Sequence, residues 1–238
     1  MDEDQKKNYE GWGDHPSKRY LSSLKACYHM GTSDHQDHND NPDYWNVLLG
    51  DLSNKDFWAN KVALDFGCGK GRNVKNLISL CDWMRVDGVD VSKVNIDHCR
   101  AHFDESDWYL NNGYNVEDLK SDEYDFIMST IVLQHIPVYE MRRSLLEDLL
   151  RVLKPGGTFV FQMGYGNTLT YKGADYNENN WDAPASNGTN DVAVLNENVL
   201  VNDLLDIGYC NVKFQIRSSW LDQVHKRWIY VACNKDNN

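Results

Sequence analysis

Positive charge is scarce in this chain. Its 238 residues carry 24 Lys and Arg against 36 Asp and Glu, a formal net charge of -12. A broad basic face that grips DNA or RNA by releasing counterions is therefore not expected. Long apolar runs are lacking too, and no stretch approaches the roughly 20 residues a membrane-spanning helix needs. The opening Met1-Asp2-Glu3-Asp4-Gln5-Lys6-Lys7 is charged, with no apolar segment behind it. That is not the pattern of a signal peptide. The six cysteines (Cys27, Cys68, Cys81, Cys99, Cys210, Cys233) contain no C-x-x-C pair, so neither a zinc knuckle nor a disulfide framework is expected. The early histidines His15, His29, His35 and His38 match no ligand spacing and read as a solvated loop. The expectation is a cytoplasmic protein with no metal site, no membrane span and no nucleic-acid partner.

What is present is a strand–helix alternation. Residues 1–42 are polar, with one candidate helix over 18–28, and a second is expected over 42–52. From 62 the pattern becomes regular: strands at 62–66, 85–91, 108–110, 124–129 and 158–163, with helices at 72–80, 94–103 and 137–153 between them. The strand at 62–66 is almost wholly apolar, as a strand buried on both faces should be. The helix after Pro137 carries apolar residues at 138, 141, 145, 146, 149, 150 and 153 and must end before Pro155-Gly156-Gly157. Residues 164–191 break the rhythm and read as an inserted loop. A helix over 196–205 and two antiparallel strands, 212–217 and 227–233, follow. Such an order implies an α/β fold with a mostly parallel sheet and right-handed crossovers. The length suits one such domain, residues 43–238, preceded by a cover segment, 1–42.

The chemistry concentrates at Asp65-Phe66-Gly67-Cys68-Gly69-Lys70-Gly71, where a strand ends and a helix begins. Open α/β sheets bind ligands there, beyond the carboxyl ends of their strands. The G-x-G-x-G spacing is not the G-x-G-x-x-G of dinucleotide folds, and the Gly-Lys-Ser/Thr of a phosphate-binding loop is missing. Asp90 ends the second strand, 25 residues after Asp65. A carboxylate in that place can accept both hydroxyls of a ribose, so an adenosine-containing ligand is expected.

Four segments occur in one order: Asp65-x-Gly67-x-Gly69-x-Gly71, Gly88-Val89-Asp90-Val91-Ser92, Tyr124-Asp125-Phe126-Ile127-Met128-Ser129 and Leu153-Lys154-Pro155-Gly156-Gly157. Together they resemble the class I, Rossmann-like methyltransferases that use S-adenosyl-L-methionine, particularly the small-molecule branch. The resemblance implies a three-layer fold with a seven-stranded sheet in the order 3-2-1-4-5-7-6, strand 7 antiparallel. It implies S-adenosyl-L-methionine as methyl donor and S-adenosyl-L-homocysteine as product. By the same resemblance Asp65, Gly67, Cys68, Gly69 and Gly71 line the methionine and sugar, and Asp90 holds the ribose. Val91 packs on the adenine, Asn112, Asn115 and Val116 reach its edge, and Ser129 and Thr130 flank the sulfonium.

Methyl transfer from a sulfonium rests largely on alignment, and a base helps when the acceptor is a hydroxyl. His135, in Leu133-Gln134-His135-Ile136-Pro137 just past the fourth strand, is the candidate base. The cover segment would place Trp12, Arg19 or Tyr20 near the donor, and the 164–191 loop would offer Tyr165, Tyr171, Tyr176 and Trp181 to a substrate as a lid. The fourth strand leads into Ser129-Thr130-Ile131-Val132. This lacks both the Asn/Asp-Pro-Pro-aromatic signature of amino-methylating nucleic-acid enzymes and the Pro-Cys of cytosine carbon-5 enzymes. A small-molecule acceptor methylated on oxygen or nitrogen is the expectation. The alternatives are another transfer from the same donor, such as aminopropyl transfer, or a donor-binding regulatory subunit without catalysis.

Overall fold

The computed structural model describes residues 55–166, 175–183, 191–218 and 227–237. The candidate helices at 18–28 and 42–52, the N-terminal cover with its histidines, and Tyr171 lie outside the described residues. After a short helix α1 (Lys55–Trp58) come β1 (Val62–Phe66), α2 (Arg72–Leu80), β2 (Arg85–Asp90), α3 (Lys93–His102), β3 (Trp108–Leu110) and β4 (Tyr124–Ser129). A 3-10 turn at Leu133–His135 leads into α4 (Tyr139–Val152) and β5 (Leu153–Tyr165). The chain finishes with β6 (Ala193–Val194), α5 (Glu197–Ile207), β7 (Tyr209–Ser218) and β8 (Arg227–Lys235).

The strands form one sheet in the order β3-β2-β1-β4-β5-β8-β7. Those from β3 to β5 run parallel, β8 is antiparallel to β5, and β7 is antiparallel to β8. With β7 and β8 taken as the expected sixth and seventh strands, this is the anticipated order. The addition is β6, two residues long, which pairs with the end of β5 through Gly164↔Ala193 and Tyr165↔Val194. All five residues of β1 are buried, as befits the middle of a sheet covered on both faces. One apolar cluster packs α4, α5, Tyr176, Val192 and Val194 against the sheet; the other packs α1, α2 and α3.

Three elements depart from their sequence patterns, each for a local reason. Helix α4 starts at Tyr139 rather than Pro137. The Pro137 carbonyl instead accepts from Asn180 N at 2.9 Å, and Val138 bridges Asn179. Helix α2 turns Asn73, Val74 and Leu77 inward and leaves Ile78 exposed, because the Asn73 amide donates to Thr130 Oγ1 at 2.7 Å on the sheet side. β5 starts at Leu153, directly after α4, and the Lys154–Gly157 stretch bulges out between the pairs Tyr124↔Leu153 and Phe126↔Thr158.

The apolar stripe of α4 also hides a cation. Arg142 is fully buried, and its guanidinium donates to the carbonyls of Ile136 and Tyr176 and, at 3.4 Å, of Glu178. Beside it, buried Asp203 accepts from Tyr139 Oη at 2.7 Å, Tyr176 Oη at 2.5 Å and the Arg143 guanidinium. Asn179 and Glu140 exchange two further hydrogen bonds. These contacts staple the 175–183 segment onto the start of α4. Tyr176 and Trp181 are consequently core residues, not lid aromatics, and Tyr165 donates its hydroxyl to Glu197 at 2.6 Å.

Removing the Arg142 donors while keeping the apolar stem, as in Arg142→Met, strands those carbonyls away from water. The expected cost is about 3 kcal/mol, read by urea unfolding. Amide exchange at Tyr139 and Asn180, whose bonds bracket the staple, should accelerate with it. An Arg142→Met protein of wild-type stability would contradict the assignment.

Candidate active site at the carboxyl edge of the sheet

The turn after β1 is built by backbone geometry. Gly67, Gly69 and Gly71 all adopt positive φ (78°, 53° and 84°), a region in which a side chain clashes with its own backbone. Gly67 N and Cys68 N donate to Val89 O at 2.8 and 3.1 Å, and Gly71 N closes the turn on Cys68 O at 2.9 Å. Two of the glycines also make room for neighbours. A Cβ on Gly67 would lie 2.2 Å from Val132 Cγ2, and one on Gly71 would lie 3.0 Å from Phe103 and Trp108. Thus Val132, in the connection after β4, packs directly over the β1 turn.

Asp90 holds the turn from the next strand. Its Oδ2 accepts from Gly69 N at 2.8 Å, and its Oδ1 from Ser92 N at 2.7 Å and Asn95 Nδ2 at 3.3 Å. Ser92 in turn caps α3, its Oγ accepting from Asn95 N. Burial raises the Asp90 carboxyl above its ordinary range, and these hydrogen bonds work against that rise. Cys68 and Cys99 sit behind the turn, both thiols donating to Gly69 O, at 3.6 and 3.4 Å. Val91 follows Asp90, half-buried.

Asp65 is in a different condition. It is wholly buried, and neither carboxylate oxygen has a hydrogen-bond partner. Burial pushes its carboxyl up to about 7, with Arg72 acting in the opposite direction and Asp90 adding to the rise. Asn73 also favours the ionised form, although its amide is committed to Thr130. On β4, next to β1, the buried Ser129 hydroxyl is likewise without a partner. Two unsatisfied polar groups on adjacent strand ends are what a polar ligand would complete. Between Thr130 and the 3-10 turn, Ile131 takes φ 58°, a strained value for a β-branched residue.

The 111–116 loop after β3 is shaped by its own asparagines. Asn111 Oδ1 accepts from Gly113 N at 2.9 Å, Asn112 Oδ1 from Tyr114 N and Asn115 N, and Asn112 Nδ2 donates to Asn115 Oδ1 at 2.6 Å. Val116 N donates to Asp148 of α4. A cavity of about 150 Å³ lies here, walled in part by Val89, Leu110, Asn111, Asn112, Asn115 and Val116. It sits where the resemblance puts an adenine. A wider depression of about 430 Å³, near Arg100 and Trp108, opens at the other end of β3.

His135 closes the 3-10 turn. Its Nδ1 lies 2.8 Å from Asp191 Oδ1, and Gln134 Nε2 donates to Asp191 Oδ2 at 3.4 Å. The structure therefore draws the sequence-predicted residues to one edge, with the glycine turn, Asp90, the asparagine loop, Ser129, Thr130 and His135 all at or just beyond the carboxyl ends of β1 to β4. It also adds Asn73, Asp148 and Asp191, for which no sequence signal existed; Asp191 is 56 residues from its partner. Among the described residues, no helix is long and apolar enough to cross a membrane and no group of three or more potential ligands could hold a metal ion.

Residues 64–161 match the family profile described as a methyltransferase domain. Trans-aconitate 2-methyltransferase of Azoarcus sp. (strain BH72) is 31% identical over 106 residues, covering 43% of this chain and 38% of that protein. The chain thus matches well under half the length of that relative. N-methyltransferase NodS of Bradyrhizobium japonicum WM9, solved with S-adenosyl-L-homocysteine, superposes with a TM-score of 0.62 at 17% identity, over 92% of this chain and 98% of that one. The [4+2]-cyclase SpnF superposes with a TM-score of 0.59 at 13% identity, covering 92% of each chain. The chain thus shares the Rossmann-like fold of these structures, and its residues 64–161 are similar to a methyltransferase domain.

Two predictions test the site's construction. Gly67→Ala should cost about 2–5 kcal/mol, from the left-handed backbone and the collision with Val132. Val132→Ala in the same protein should return only the collision part, as thermal melts of the single and double variants would show. Asp65 has a pH signature. The folded protein holds its proton up to about pH 7 and the unfolded chain only to 3.8. Stability from this group is therefore present at low pH, falls as pH rises between those values and is level above them. Asp65→Asn should abolish that slope, leaving the variant more stable than wild type above pH 7 by at most about 4 kcal/mol. Parallel wild-type and variant stability curves from pH 4 to 8 would refute it.

Proposed function

We propose that the protein is an S-adenosyl-L-methionine-dependent methyltransferase acting on an oxygen or nitrogen of a small molecule. The observation that carries this reading is the buried, partnerless Asp65 carboxylate beside the glycine turn. A buried carboxylate is costly unless a cation or hydrogen-bond donors meet it, and the ammonium of a methionine moiety supplies both. The cleft at Val89 and Asn112 accommodates the base of the same ligand, and the Asp90 carboxylate between them keeps one free lone pair, on Oδ2, for a ribose hydroxyl. When bound, the donor supplies a methyl group made electrophilic by its sulfonium.

The chain's own part is to bind, align and move a proton. Ser129 and Thr130 border the place where the methyl would lie, and Val132 packs the β4 connection over the turn so that the two edges keep a fixed spacing. His135, three residues further on, receives the proton of an acceptor hydroxyl or amine. The match to a trans-aconitate methyltransferase supports a small acceptor. The net charge of -12 disfavours a polyanionic one. We assign residues 1–42 to covering the donor, and the parts of 164–191 outside the stapled 175–183 segment to the acceptor side.

Calorimetry with S-adenosyl-L-methionine should give an affinity about tenfold weaker at pH 6 than at pH 8, because only about a tenth of Asp65 is ionised at the lower value. Product mass spectrometry on a metabolite panel should then reveal an acceptor gaining one methyl. His135→Ala should lower turnover on that acceptor by about 10²–10⁴ and leave donor affinity unchanged. A protein that binds neither the donor nor S-adenosyl-L-homocysteine would end this reading.

A further inference from the structure

The His135 ring has one nitrogen spoken for. Nδ1 sits 2.8 Å from Asp191 Oδ1, and among the described residues Nε2 makes no hydrogen bond. The Asp191 side chain is only 4% exposed, while the His135 ring keeps 27% of its surface open. Asp191 is not on a free loop. Val192 N donates to Gln134 O at 2.7 Å, which ties the residue after Asp191 to the residue before His135. Gln134 Nε2 reaches the second carboxylate oxygen. β6 then runs on as a strand of the sheet, and Asp175, in the stapled segment, bridges Ala193 and accepts from Leu195 N. Acid and imidazole are thus fixed by backbone bonds on both sides.

An ionised carboxylate can only accept a hydrogen bond, so the nitrogen facing it must carry the proton. The neutral ring is then the Nδ1–H tautomer, with its lone pair on Nε2. We propose that Asp191 is the positioning residue that holds His135 in this tautomer and makes Nε2 the proton acceptor of the site. The inference rests on the methyltransferase reading and narrows it. A nucleophile that already carries an electron pair and no proton, such as a carboxylate, gains nothing from such a base. The arrangement suits an acceptor whose attacking atom is bonded to hydrogen, above all a hydroxyl. In that step the O–H bond breaks as the oxygen bonds to the methyl carbon. The methyl's former bond pair stays on the donor sulfur, and the proton goes to Nε2. The resulting imidazolium keeps its hydrogen bond to Asp191 and passes the extra proton to water.

Two-bond proton–nitrogen correlation spectra of the ¹⁵N-histidine-labelled full chain, with S-adenosyl-L-homocysteine added, read the tautomer directly. Wild type should show His135 protonated on Nδ1 and bare on Nε2, favoured about tenfold or more by the charged partner. Asp191→Asn can donate to Nδ1 and should convert the ring mainly to the Nε2–H form. Its affinity for S-adenosyl-L-homocysteine should stay at the wild-type value, since Asp191 is outside the donor site. On a hydroxyl acceptor from the panel, its kcat should fall about 10²-fold or more with KM within a few fold. A wild-type ring protonated on Nε2 would overturn the proposal outright, whether or not the variant folds. An Asp191→Asn ring still protonated on Nδ1, or an unchanged kcat, would overturn it as well. If the tautomer switches as expected but no acceptor is ever methylated, the positioning role stands and the methyltransferase reading falls.

Discussion

The Asp90 carboxylate is the contact on which the site depends. It stands at the end of β2 and gathers Gly69 N from the β1 turn together with Ser92 N and Asn95 from the head of α3. Parallel strands all deliver their connections to one edge, and those connections contain backbone N–H groups with no ladder partner. A single acceptor serving three donors from two loops turns that edge from a set of loose ends into a frame. The cost is a buried charge, tolerable only because every donor is close and well placed. The same carboxylate is then a natural place for a ligand's hydroxyl to join an existing network.

The second fastening is of the opposite sign. Arg142 brings a full positive charge into the interior and meets it with the main-chain carbonyls of Ile136, Tyr176 and Glu178. Because those carbonyls belong to the turn after β4 and to the stapled segment, the cation joins two stretches that the sheet alone would leave apart. From that segment the contacts of Asp175 lead to β6, and β6 follows directly on Asp191. Arg142, on Ile136 O, and Asp191, on His135 Nδ1, thus fasten neighbouring points of the same turn.

Likeness of fold does not settle a reaction. Superposition scores for NodS and SpnF are close, 0.62 and 0.59, though one is an N-methyltransferase and the other a [4+2]-cyclase. What these proteins share with this chain is the fold. What distinguishes chemistries on such a fold is the polarity and protonation of a few side chains near the strand ends. Here those are an unsatisfied acid at Asp65, an unsatisfied hydroxyl at Ser129 and an imidazole at His135 oriented by Asp191.

Sequence alone determined whatever is written in neighbouring residues. The apolar runs of β1 and β4, the helical stripe of α4, the glycine turn and the acid at the end of β2 follow local periodicity and backbone sterics, and they carried the sheet order. Tertiary structure decided what depends on residues far apart in the chain. It buried Arg142 within an apolar stripe, took Tyr176 and Trp181 into the core, delayed the start of α4 by two residues and set Asp191 against His135. Charge burial and hydrogen-bond pairing are settled by which partner arrives in three dimensions, and no spacing rule links residues 135 and 191. Local pattern thus specified the sheet and its glycine turn, and packing specified which carboxylate meets the His135 ring.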